Sequence, residues 1–175
     1  QVMKGYYKNP EATTKVLKDG WMNTGDMGVI TFNNMVKIVG RSKDTVVLLV
    51  GENVEPVPIE NKMLESQYID QCMVVGQDKK YLAALIVPKL DTLQQYGESL
   101  EVISRNPDVQ KLIADEVKRL VSTDGGFKSF EKVLDCRLVP KAFEVGDEMT
   151  NLFKLKRHVI TEKYKSVIES MYQQN

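Results

Sequence analysis

Two runs, "DQCMVVG" and "YLAALIVP", stand on either side of the polar stretch "QDKK". They constrain the fold more than any other feature of the chain. A half-buried strand alternates apolar and polar residues. These runs are apolar at nearly every position, so neither face is suited to water. Joined by a polar turn, they predict a β-hairpin buried on both faces, which calls for helices covering the sheet.

Helices are available. "NPDVQKLIADEVKRLVS" places Val109, Leu112, Ile113, Val117, Leu120 and Val121 at helical spacing, in an amphipathic helix ended by "TDGG". "KRHVITEKYKSVIESMY" is expected as a closing helix. "GENVEPVPIENKMLES" reads as a Gly-opened loop entering a helix, with Pro56 or Pro58 near its start. "KNPEATTKVL" reads as a short helix capped by Asn9, with Pro10 in its first position. "DMGVITF" and "MVKIVGR" flank the turn dipeptide "NN" and predict another hairpin, "TVVLLV" a further short strand, and "SFEKVLDCRLVP" a last one. The polar seam "GRSKD" divides residues 1–42 from the remainder of the chain. The expected class is α+β: an N-terminal β-hairpin, then a small mixed β-sheet flanked by helices.

Composition removes several function classes. Lys plus Arg and Asp plus Glu each number 24, so the basic excess of a nucleic-acid binder is missing. Cys72 and Cys136 are the only cysteines, at no metal-site spacing, and are expected as buried or free thiols in a reducing, cytoplasmic compartment. His158 is the only histidine, which excludes a multi-histidine metal site. No apolar run reaches the roughly 18 residues of a membrane span. The opening "QVMKGYYKNP" lacks an initiator methionine and is expected to be part of a longer protein.

Three stretches can carry chemistry. "NTGDMG" holds Thr24, Gly25 and Asp26, and is either a loop entering a strand or a carboxylate set to accept a pair of ribose hydroxyls. "VGENVEP", with Gly51, Glu52 and Asn53, is by itself only a polar turn. "TNLFKLKRHVI" holds Lys154 between Phe153 and Leu155, just ahead of Lys156 and Arg157. Positive charge near a helix start opposes the macrodipole, and apolar neighbours favour a held, partly desolvated lysine. Such a lysine can neutralise charge developing on a carboxylate or phosphate. No Gly-rich triphosphate loop is present.

Taken in order, "GYYKNPEATTKVLKDGWMNTGDMG", "GRSKDTVVLLVGENVEPVPIE" and "MTNLFKLKRHVITEKY" resemble the adenylate-forming enzymes, in their long-chain fatty acyl-CoA synthetase branch. The pattern departs from that branch at Asn151, where proline is usual, and at Phe153. The resemblance implies that Lys154 is the catalytic lysine of the adenylation step and that Asp26 binds the ribose, with Thr24, Gly25 and Arg41 also at the nucleotide. Lys43 and Asp44 would form the hinge. Gly51, Glu52 and Asn53 would line the coenzyme A tunnel.

By the same resemblance, residues 1–42 are the tail end of a large N-terminal domain and residues 43–175 a mobile C-terminal domain. ATP, Mg2+ and coenzyme A are the implied cofactors and a fatty acid the substrate. Mg2+ would be bound mainly by the N-terminal domain, which is the implied partner, and the isolated segment would be inactive. The exposed hairpin edge would favour a homodimer. The other readings are a stand-alone binding or regulatory module of the same fold, and an interaction domain without a nucleotide role.

Overall fold

The computed structural model describes residues 2–173. The chain forms two compact units, Gln1–Lys43 and Asp44–Asn175.

The first unit opens with α1 (Pro10–Val16), where the Asn9 side-chain oxygen accepts from Ala12 N at 2.9 Å and Pro10 needs no partner for a missing N–H. A two-residue pair, β1 (Leu17–Lys18) with β2 (Trp21–Met22), leads to the antiparallel hairpin of β3 (Asp26–Ile30) and β4 (Val36–Arg41). Asn34 takes a φ of 59° in its turn, a conformation asparagine tolerates better than most residues. None of residues 2–43 is buried. Phe32 is wholly exposed and Trp21 is 81% exposed, so this unit has no core of its own.

The second unit begins with β5 (Val46–Val47) paired to β6 (Asn53–Val54), followed by α2 (Pro56–Met63). The expected double-sided hairpin is β7 (Ile69–Val75) with β8 (Leu82–Pro88), antiparallel, and all seven residues of β8 are buried. Next come α3 (Leu90–Leu93), α4 (Leu100–Arg105) and α5 (Pro107–Leu120), then β9 (Val133–Leu138), which lies parallel to β8 in the order β7-β8-β9. The chain closes with α6 (Arg157–Lys163) and α7 (Lys165–Ser170).

Period-two alternation splits the sheet's side chains between two cores. Leu82, Ala84 and Ile86 join Cys72 and Val74 in the core that holds α2 and α5. Ala83, Leu85 and Val87 join Met73 and Val75 in the core built with Phe143, Ile160, Ile168 and Met171. The α5 stripe buries Val109, Ile113, Val117 and Leu120, each worth about 2 kcal/mol when taken out of water.

Two expectations need correction. "TVVLLV" is not a full strand: only Val46 and Val47 enter a ladder, because Gly51, at φ 86°, turns the chain and leaves Leu49 and Val50 outside. The closing helix is two helices. Tyr164 leaves helical geometry at φ −104°, ψ 19°, with its ring edge-on to Phe143 at 6.1 Å.

Candidate functional site

In the first unit, β3 and β4 put Asp26 and Arg41 directly opposite each other. Arg41 Nε lies 2.9 Å from Asp26 Oδ1, and Arg41 Nη1 donates to Thr24 O at 3.0 Å. Local bonds shape the turn: Gly25 N donates to Asn23 Oδ1 at 2.9 Å and Asp26 N to Thr24 Oγ1 at 3.2 Å. Gly25 sits at φ 71°, where a side chain would strain the backbone. The Asp26 side chain remains 29% exposed, so a solvent-facing carboxylate is held in place by a cation behind it. Asp26, Arg41, Thr24 and Gly25 thus converge.

Lys43 and Asp44 lie in the short 3-10 turn Ser42–Asp44, and the two compact units meet in sequence between them. Beyond it, the Gly51 turn is closed by Leu48 N donating to Glu52 O at 2.9 Å and by Gly51 N donating to Leu48 O at 2.8 Å. Its tip exposes Leu49 and Val50. Asn53 pairs with Val47, and Thr45 Oγ1 donates to Glu55 Oε1 at 2.6 Å just before α2.

Lys154 occupies a tight turn, not the helix. Thr150 N donates to Lys154 O at 2.8 Å, Phe153 N donates to Thr150 O at 2.9 Å, and Lys154 N reaches Thr150 Oγ1 at 3.2 Å. Phe153 adopts φ 57° to complete the turn. The expected desolvation is absent: Lys154 is exposed, with Leu152 77% and Phe153 75% exposed beside it. The apolar neighbours project outward from the tip and cannot cover the ammonium. Among the described residues, Lys154 Nζ has neither a hydrogen bond nor an ion pair. The turn therefore presents a free cation on a defined backbone.

That turn stands on a charged base that the sequence motifs did not reveal. Lys163, on α6, contacts Asp147 at 2.7 Å and the wholly buried Glu148 at 2.5 Å. Glu148 Oε2 accepts from Glu144 N at 3.1 Å, and Lys156 N donates to Glu148 O at 2.8 Å. Burial alone would raise the Glu148 carboxyl, but the bonds from Lys163 and Glu144 outweigh it and hold it below the usual carboxylate range. Asp147 and Glu148 are 15 or 16 residues from Lys163, so no helical period connects them.

A second buried pair also escaped the sequence reading. Arg157, the first residue of α6, meets Glu60 of α2 at 2.5 Å, and Glu60 Oε1 accepts from Val74 N at 2.7 Å. Burial pushes the Glu60 carboxyl up while the guanidinium pulls it back, leaving it above its ordinary value. This pair ties the helix after the Gly51 turn to the helix after Lys154, although no hydrogen bond joins the two turns themselves among the described residues.

Neither cysteine is an activated nucleophile. Burial pushes the Cys72 thiol up strongly and the Cys136 thiol to about 11. Among the described residues, no group of three His, Cys, Asp or Glu side chains is placed to hold a metal ion, and no helix is long and apolar enough to cross a membrane.

Comparison with known proteins gives three concordant results. A family model described as "AMP-binding enzyme C-terminal domain" matches residues 43–175. The chain is 35% identical, over 98% of its length, to a chloroplastic long-chain-fatty-acid–acyl-carrier-protein ligase of Arabidopsis thaliana, and 35% identical to long-chain-fatty-acid–CoA ligase 1 of Homo sapiens. It spans 24% and 26% of those two proteins, about a quarter of each. Among solved structures, the A domain of a carboxylic acid reductase from Segniliparus rugosus, in complex with AMP and a co-purified carboxylic acid, superposes with a TM-score of 0.83. That match is 25% identical and covers 99% of this chain and 27% of the other.

Proposed function

Because the chain belongs to the AMP-binding enzyme C-terminal domain family, we propose that it works as the C-terminal portion of a long-chain fatty acid ligase. In the first step a fatty carboxylate oxygen attacks the α-phosphorus of ATP, and the bond to pyrophosphate breaks. In the second, the thiol of coenzyme A attacks the acyl carbon of the acyl-adenylate and AMP leaves. Neither step needs a protein nucleophile, so the protein's contribution is position and charge.

The observation that carries this reading is the Lys154 turn: an exposed ammonium, unpartnered among the described residues, on a hydrogen-bonded tip. Such a cation costs nothing to release from an internal partner before it meets an anion. Lys154 neutralises the carboxylate and the α-phosphate oxygens during adenylation. Asp26, with one carboxylate oxygen held by Arg41, accepts from the ribose hydroxyls, and Thr24 and Gly25 set the turn that aims it. The Gly51–Asn53 turn serves the thiol step, on a segment separate from Lys154. Lys43 and Asp44 form the hinge that exchanges the two.

Residues 2–43, without a buried residue among them, belong with the rest of the larger domain. That larger domain supplies the acyl pocket, the triphosphate site and the ligands for magnesium.

The test is acyl-CoA formation from oleate, ATP and coenzyme A by the full-length ligase with and without Lys154→Ala. The expected outcome is a loss of pyrophosphate release on the order of 10²–10³-fold, the size of one lost charge-stabilising contact. Thermal stability should be unchanged, since Lys154 Nζ bonds to nothing among the described residues. Unchanged pyrophosphate release would make Lys154 an ordinary surface charge and overturn the assignment.

A further inference from the structure

The sheet order β7-β8-β9 leaves β9 at an edge. Val139 N donates to Ile86 O at 2.7 Å, on the β8 side. A strand's hydrogen-bonding groups alternate sides, so the amides of Cys136 and Leu138 face away from β8. Among the described residues, nothing accepts from either of these outward amides, while the Cys136 carbonyl beside them accepts from Arg137 Nη1 at 3.0 Å. Register shifts between Leu82 and Ala83 against Val133 and Asp135, so Leu134 is extra to the ladder and is 60% exposed. Between this edge and α5 runs a groove of about 540 Å³, floored by Ala114, Val117, Cys136 and Leu138.

The charged side chains that line that groove sum to a positive charge, with the exposed Asp115 of α5 next to the two lysines but outside the lining. Lys111 and Lys118 stand two helical turns apart on the same face of α5, both exposed and neither with an ion-pair partner among the described residues. Asp135 and Arg137, the other charges there, pair with each other at 2.5 Å. The edge thus combines unused backbone donors, an apolar floor and two free cations.

We propose that the β9 edge docks an extended acidic peptide segment of a protein partner, added to the sheet as a fourth strand. Its main chain takes up the outward amides, and the alternate side chains that face α5 set an apolar residue over the groove floor between carboxylates that meet Lys111 and Lys118. Two-fold pairing with a second copy would set α5 against α5 on the same side of the joint sheet, lysine facing lysine, so the free lysines select an acidic strand over a second copy.

The test is an NMR titration of the isotope-labelled chain with acetyl-Glu-Thr-Val-Thr-Glu-Thr-amide, whose two glutamates and valine share one face. The amides of Cys136 and Leu138 should shift, and their hydrogen exchange should slow by about ten-fold at saturation. Lys111→Glu with Lys118→Glu, both at exposed helix positions, should weaken binding about five- to ten-fold, the combined size of two exposed ion pairs. The same peptide with lysine for glutamate should not bind, nor should one methylated on the backbone nitrogens of its pairing edge. The proposal is overturned by shifts confined to other surfaces, by equal binding of the lysine peptide, or by no shift at millimolar peptide. It is equally overturned if the two amides are already protected in the free chain while light scattering reports a dimer.

Discussion

At the scale of single residues, what matters is which charges are held and which are free. Lys154 is free, whereas Arg157, three residues on, is tied to Glu60. Removing the guanidinium leaves a carboxylate that is only 6% exposed. Arg157→Met is expected to cost about 3–5 kcal/mol in urea unfolding, as for other broken buried pairs. Its pH dependence has a definite sign. In the variant, burial still raises the folded-state pKa of Glu60 above the ordinary 4.5, with the guanidinium gone and the Val74 N–H left to oppose it. Protonation therefore favours the fold: the variant regains stability as pH falls toward 4.5 and loses it as pH rises through the raised value. Glu148 behaves oppositely. Its folded pKa is lowered below 4.5, so its contribution is present above that value and disappears as pH falls through the folded one. Glu148→Gln should flatten the acid limb of a stability-against-pH curve; an unchanged limb would remove Glu148 from the base of the Lys154 turn. The lysine was legible in its motif, but its environment was not. Apolar neighbours in sequence say nothing about whether a turn points them inward, and here it does not.

At the scale of elements, local chemistry and long-range packing part company. The cap at Asn9, the Pro10 start of α1, the buried β7–β8 hairpin and the α5 stripe all rest on residues within one or two turns of each other. The misread elements are those shaped by a backbone reversal. Gly51 ends β5 early, and Tyr164 splits the closing helix where its ring meets Phe143. Gly51 is a clean test of the turn. It sits at φ 86° with nothing within 4 Å of where a Cβ would lie, so Gly51→Ala meets backbone strain but no clash. The expected loss is about 1–2 kcal/mol by thermal melting, the cost of a left-handed conformation. A neutral result would mean that the turn relaxes to another conformation.

At the scale of the whole molecule, the two units differ in kind. The second has two cores on either side of one sheet; the first has none of its residues 2–43 buried. An isolated hairpin is at best marginal in water. Amides of β3 and β4 should therefore exchange about 100-fold or more faster than those of β7 and β8 in the free chain, and equal protection would show that the first unit is covered after all. The sequence alone determined the class, the double-sided hairpin and the order of the motifs, because each rests on periodicity or on contiguous residues. Only the tertiary structure decided that Glu60 meets Arg157 and that Lys163 holds Asp147 and Glu148. Those partners are brought together by folding across 97 residues in the first case and by a loop closing back on a helix in the second, and charge pairing at such separations leaves no period in the chain.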